Sequence, residues 1–216
     1  MDESAARRWS GRAAAEAASA EVFDAIAAEL MDVLPGSHFA DTLRAVASDE
    51  RRHAALAARH APADAAPPAE LTLPSWQGAT PAIRLLEQVT FLLAAGETFA
   101  VATLQTALDG PTRPEIRATL QSILSDERRH ADIGWQLVEA IAGTLTPQDR
   151  AAAAQPVSRA AFLASYAAIR VAPSVSDPAH GVLSTDEVSA CVNPVLRTEV
   201  WPRLVSLGLA ARRTKA

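Results

Sequence analysis

The pentapeptide Asp-Glu-Arg-Arg-His occurs twice, at residues 49–53 and 126–130. Both copies lie in long alanine- and leucine-rich runs with helical rather than alternating spacing. Such a repeat is either a charge run on two solvated helix faces or two halves of one site, and the facing of its side chains decides between them. At 100° per residue, Glu127 shares a stripe with Ile116, Leu120, Ile123, Leu124, Gly134, Val138 and Ile141. Glu50 shares one with Phe39, Leu43, Val46 and Ala57, and His53 and His130 follow three residues on, on the same faces. The acids and imidazoles therefore point into a core. A buried acid without a partner is very costly, so inward glutamates require cations, protons or a metal.

The expected fold is all-α. Helices are predicted over roughly 10–33, 38–60, 81–108 and 113–143, with turns at Pro35-Gly36-Ser37 and Asp109-Gly110-Pro111. The two short turns make two antiparallel hairpins. Between them runs the proline-rich stretch 61–81, long enough at about 3.3 Å per residue to cross the length of a bundle. That layout is a ferritin-like four-helix bundle with one long crossover between helices 2 and 3, spanning residues 1–146. Residues 147–216 are expected to be a helical extension, packed on the bundle or forming an oligomer contact. It holds a fifth helix over 147–170, a helix start at Ser184-Thr185-Asp186-Glu187, and breaks near Pro194 and Pro202.

The repeat extends upstream. Glu21 precedes Glu50 by 29 residues and Glu97 precedes Glu127 by 30, each followed two residues later by a phenylalanine. Gly36 and Thr112 lie near the two midpoints, so all four glutamates can share one layer of the bundle. Glu97 is centred among Leu86, Thr90, Leu93, Val101, Leu104 and Leu108. Glu21 sits among alanines, whereas Glu16 lies on the larger apolar stripe of Phe23, Ile26, Leu30 and Leu34 but about one and a half turns too far from the turn. Glu21 is preferred as the helix 1 acid, with Glu16 as the alternative.

Totals narrow the partners. A net charge of −5 argues against nucleic acid. The single Cys191 excludes an internal disulfide or an iron–sulfur cluster built from this chain alone. No membrane-spanning run and no signal-peptide core are expected, which points to a cytoplasmic protein.

A glutamate on helices 1 and 3 and Glu-x-x-His on helices 2 and 4 resembles the ferritin-like di-iron and di-manganese carboxylate proteins. The doubled Asp-Glu-x-Arg-His is similar to bacterial multicomponent monooxygenase hydroxylases and to soluble acyl-carrier-protein desaturases, over about residues 14–142. The resemblance implies Glu21, Glu50, His53, Glu97, Glu127 and His130 as ligands of two iron ions, with manganese as the alternative metal, and Glu50 and Glu127 as bridges. It places Asp49 and Asp126 behind the histidines, accepting their ring N–H, and Arg52 and Arg129 against those aspartates. Arg51 and Arg128 are left to solvent. Thr90, Trp135 and His60 are candidates for a pocket, with Trp76 as a further wall; His60 also fits a helix C-terminus.

The preferred function is an oxygen-activating di-iron enzyme that hydroxylates, desaturates or N-oxygenates a small organic molecule. It would draw electrons from an external donor such as a ferredoxin or reductase, and a homodimer is an open arrangement. The chain departs from the resembled proteins: it is shorter than the hydroxylases, its one tyrosine, Tyr166, lies outside the bundle, and it has no rubredoxin cysteines. A peroxidase, ferroxidase or di-manganese catalase uses the same ligands, and a non-catalytic bundle for metal storage or assembly is the rival of another class.

Overall fold

A computed structural model describes residues 3–62 and 73–211. The described residues are helical apart from short connections, with a single isolated β-bridge between Asp177 and Val182. Helix α1 (Glu3–Val33) and α2 (Phe39–Ala58) form the first hairpin, reversed at Gly36, whose φ of 74° suits a residue without a Cβ. The second hairpin pairs α5 (Pro114–Thr144) with a composite helix: α3 (Pro81–Val89), a π-helical turn over Thr90–Ala94, and α4 (Ala95–Asp109). Thr80 caps α3 by accepting from the Ile83 N–H, and Pro81 and Pro114 occupy first turns, where their missing N–H costs nothing. The hairpins meet through α1 against α3 and α2 against α5. Residues 63–72 of the expected crossover lie outside the described residues.

The π turn was not foreseen. The Ala95 N–H reaches back five residues to the Thr90 carbonyl, and the extra residue shifts the faces before and after it. It stands where α5 comes closest: a Cβ on Gly134 would meet the Ala94 backbone nitrogen at 2.6 Å and the Leu93 carbonyl carbon at 2.8 Å. Only glycine allows that approach.

The tail is α6 (Pro147–Arg170), a 3₁₀ turn (Pro178–His180), α7 (Thr185–Val195), a second π turn (Leu196–Val200) and α8 (Trp201–Ser206). Ser184 and Glu187 form the expected capping box. The break expected near Pro202 is the π turn: a proline N–H is missing there, and the Trp201 N–H reaches five residues back to Leu196. Helix α6 packs on α3 and α4, and α7 on α4. Apolar residues of α6 to α8, among them Val157, Val192 and Leu204, share one core with Phe23, Leu43, Leu86, Phe99 and Val138 of the bundle. Trp9 donates its indole N–H to the His180 carbonyl, so the tail also closes on the start of α1.

One expectation is corrected. The continuous run Pro81–Asp109 is long and apolar enough to cross a membrane by length and composition. Core helices share that property, and this one turns Ile83, Leu86, Val89, Leu93, Phe99 and Leu104 into the bundle.

Candidate metal centre

The inward stripes of α2 and α5 carry Glu50, His53, Glu127 and His130, all almost fully buried. The amphipathic period that buries Leu43, Val46 and Ala57 carries the α2 pair in with them, and Ile116, Leu120 and Ile123 do the same on α5. Two groups result. Glu16, Glu50, His53 and Glu127 offer one atom each within 4.8 Å of one another, as do Glu50, Glu97, Glu127 and His130. Glu50 and Glu127 belong to both. The arrangement is a pair of adjoining sites that share two carboxylates, each with its own glutamate and histidine.

Both imidazoles turn Nδ1 to the centre. His53 Nδ1 lies 3.4 Å from Glu127 Oε1 and 3.8 Å from Glu50 Oε2, and His130 Nδ1 lies 3.0 Å from Glu50 Oε1 and 3.1 Å from Glu127 Oε2. The rings stand 5.8 Å apart, centre to centre. Behind them the aspartates cross over. His53 Nε2 meets Asp126 at 3.1 Å, on the other hairpin, and His130 Nε2 meets Asp49 at 3.3 Å. Arg52 and Arg129 each hold both aspartates, closing a ring of four charges at the bundle surface. Each residue of the pentapeptide thus has its place. Glu and His face in, Asp and the second Arg join the ring, and the first Arg faces out: Arg51 pairs with Glu21 and Asp24, and Arg128 bonds Gln105.

The preference for Glu21 is overturned. Its side chain is 77% exposed and paired with Arg51, while Glu16 lies in the cluster. At the start of α1, the Trp9 ring packs tilted at 54° against His60, ring centres 4.8 Å apart. Glu16 and Glu50 offer ligand atoms within 4.8 Å of each other in one group, so distance from the turn does not exclude Glu16. Facing decides, and Glu16 rides the stripe of Trp9, Ala20, Phe23, Ala27 and Leu30.

The electrostatics are those of a site built to hold positive charge. Burial, reinforced by Glu127 and Glu50, pushes the Glu16 and Glu97 carboxyls well above their usual range. Burial alone would raise Glu50 too, but the imidazoles of His130 and His53 reverse it and hold Glu50 at about 2; Glu127 is lowered in the same way. Burial disfavours charge on the histidines, yet Glu127 and Glu50 beside them push His53 up to about 10 and His130 to about 9. Asp126 is held at about 2, and Asp49 below its usual range, because arginine and histidine partners overcome partial burial. Without metal, protons occupy the place of cations.

Four carboxylates and two imidazoles in adjoining sites suit a pair of borderline or hard divalent ions. Two buried atoms of the set, Glu50 Oε1 and His53 Nδ1, have no aligned hydrogen-bond partner, which a metal would supply. The cluster can hold a metal ion.

The residues expected to wall a pocket separate. Thr90 is buried in the π turn with its hydroxyl unpartnered. Trp135 donates to Thr98 Oγ1 and lies under Arg203. His60 meets Thr119 at 2.9 Å, away from the ligands, and Trp76 packs edge-on against Phe91. Sequence reasoning missed Glu87, fully buried, whose Oε2 accepts the backbone N–H groups of Gln77 and Gly78 and ties the end of the crossover to α3. It also missed Arg8 and Arg12, which line a small cavity beside α4 and the tail. Their spacing from Glu16, one and two turns along one helix, was the available signal. No protein-family model matches the chain, and neither a curated protein nor a solved structure is significantly similar to it.

Proposed function

We propose that the protein is a ferritin-like di-iron carboxylate oxidoreductase that activates dioxygen to oxidise a small organic substrate. The observation that carries the reading is the pair of four-residue groups sharing Glu50 and Glu127. The order of the helices supports the ferritin-like arrangement: two hairpins, one long connection, and ligands from α1, α2, α4 and α5 in one layer. Glu16 and His53 would hold one ion, Glu97 and His130 the other, with Glu50 and Glu127 shared. When bound, two ferrous ions would supply electrons and open coordination positions for dioxygen.

The chain's own residues set the conditions. With Asp126 and Asp49 accepting from Nε2 of the two histidines, each Nδ1 would be the nitrogen that gives up its proton to a metal. Arg52 and Arg129 fix the aspartates and close the site toward solvent. Leucine, isoleucine and phenylalanine above and below exclude water. Electrons for repeated turnover would come from an external donor, a ferredoxin or a reductase. Phe162 and Tyr166, half exposed on α6, offer an apolar surface for a second subunit.

A second reading, a ferroxidase, peroxidase or di-manganese catalase, draws support from the size of the cavity lined by Arg8 and Arg12, about 30 Å³, far below that of a substrate pocket. Oxygen consumption by ferrous-loaded protein under labelled dioxygen separates the readings. Label recovered in an organic product, with an electron donor required for a second turnover, supports the oxygenase. Label only in water or peroxide, with no organic molecule oxidised, supports the ferroxidase, and peroxide breakdown only with manganese supports the catalase.

A further inference from the structure

The two adjoining groups of ligands are not equivalent. Each has one glutamate and one histidine of its own, Glu16 with His53 and Glu97 with His130. On the Glu97 side, His130 Nδ1 lies 3.0 Å from Glu50 and 3.1 Å from Glu127. On the Glu16 side, His53 Nδ1 stands back from the same carboxylates, 3.8 Å from Glu50 and 3.4 Å from Glu127, with no aligned hydrogen-bond partner. The Glu16 side is the looser of the two.

It is also the side with a cation. Arg12 precedes Glu16 by one helical turn on α1 and reaches its Oε1 at 3.7 Å. The guanidinium lies over the Trp9 ring at 5.9 Å, and Trp9 is itself buried and tied to the tail through the His180 carbonyl. The charges that weigh most on Glu97 are instead the carboxylates of Glu127, Glu50 and Glu16. The Glu16 edge also meets solvent. The side chains of Glu16 and Arg12 are 15% and 19% exposed, whereas Glu50, His53, Glu127 and His130 are closed off. Arg12 and Thr103 of α4 line a small cavity with room for water. A dication on Glu16 must therefore share its carboxylate with a positioned like charge, while one on Glu97 meets acids. A unit charge about 6 Å from a dication weakens its binding roughly tenfold even at the dielectric constant of water.

We propose that Arg12 is a positioning residue that makes the Glu16–His53 position the weaker and exchangeable one. The Glu97–His130 position fills first, and the second ion enters and leaves at the Glu16 edge. The inference rests on the di-iron reading. The test is anaerobic calorimetric titration of the metal-free full chain with ferrous ion, followed by timed loss of iron to an external chelator. The proteins are the wild type, Arg12→Gln, Arg12→Lys, Glu16→Ala and Glu97→Ala, with a thermal melt of each to establish folding. The wild type should bind in two steps and lose the more weakly held ion first. Glu16→Ala should keep one ion at the affinity of the wild-type first step, whereas the ion left in Glu97→Ala should be weak and quickly lost. Arg12→Gln should leave the first step unchanged, tighten the second about tenfold and slow its loss, because a competing charge is gone. Arg12→Lys, which keeps the charge, should behave as the wild type; a merely structural arginine would give the same change in both variants. A second step unchanged or weaker in Arg12→Gln, equal effects of Gln and Lys, or tight binding that survives in Glu97→Ala but not in Glu16→Ala overturns the role of Arg12, and two bound ions would still leave the di-iron reading standing. A folded wild type that takes up no iron sinks both.

Discussion

Glu16 and Glu21 differ by five residues, and the difference shows what a side chain must satisfy to join a buried centre. Glu21 finds Arg51 and water; Glu16 finds a core with other acids already in it. Glu16→Ala should lower metal uptake clearly. Glu21→Ala should leave uptake unchanged and shift stability by less than about 0.5 kcal/mol, as exposed pairs do, a contrast that parallel metal analysis and melting would read. The titrations give a second prediction at this scale. His53 and His130 have folded-state values of about 10 and 9 against an ordinary 6.5, so their stabilising contribution is complete below 6.5 and is lost as pH rises through 9 to 10. Glu16 and Glu97, raised above 4.5, act in the same direction, because ionising them in the folded state costs stability. Glu50, lowered to about 2, contributes above 4.5 and loses that contribution as pH falls toward 2. The metal-free protein should therefore be most stable at mildly acidic pH and weaken steadily toward pH 10, as chemical denaturation across pH would show. At pH 7, loading ferrous ion should release roughly two to four protons per chain into weak buffer, since ligands must give up protons to bind.

At the scale of elements, the two pentapeptides show how much a helix period can carry. Their facing follows from apolar neighbours at three- and four-residue spacing, so the inward placing of Glu50, His53, Glu127 and His130 is legible in the sequence. The π turn at Thr90–Ala94 was not, because it arises from packing: the close approach of Gly134 to Ala94 leaves no room for regular spacing on both sides, and no local residue pattern marks it. Gly134→Ala should destabilise by about 1–3 kcal/mol, measured by denaturant unfolding, since the new Cβ meets backbone that cannot swing aside. Deleting Leu92, to restore regular helix, should turn Glu97 by about 100° relative to α3. Near-wild-type helix content with reduced metal uptake is the expected pair of readings; full uptake would show that the turn does not set the position of Glu97.

For the whole molecule, hairpin loops and the single crossover gave the order of the bundle, because short turns force antiparallel neighbours. Helix α6 was legible for the same reason, with Pro147 opening it and Arg170 in its last turn. The docking of the tail was not, since it depends on side chains far apart in sequence: Val157, Val192 and Leu204 enter the bundle's core, and Trp9 reaches His180. The extension behaves as part of one core, so a chain truncated after residue 146 should lose cooperative thermal unfolding; a sharp melt close to that of the full chain would make 1–146 an independent domain. The choice between the two acids of α1 turned on facing, which the alanines around Glu21 did not reveal: Glu16 shares the buried stripe of Trp9, Phe23 and Leu30, while Glu21 pairs with Arg51 at the surface.

All of these features serve one claim, that Glu50 and Glu127 are shared by two metal ions. The most direct measurement is metal content per folded chain after anaerobic loading with ferrous ion, for the wild type and Glu127→Ala. Two irons per wild-type chain are expected, with a loss of most of both in the variant, because both groups of candidate ligands include Glu127. A folded wild type that binds no iron, or a variant that still binds two, would contradict it.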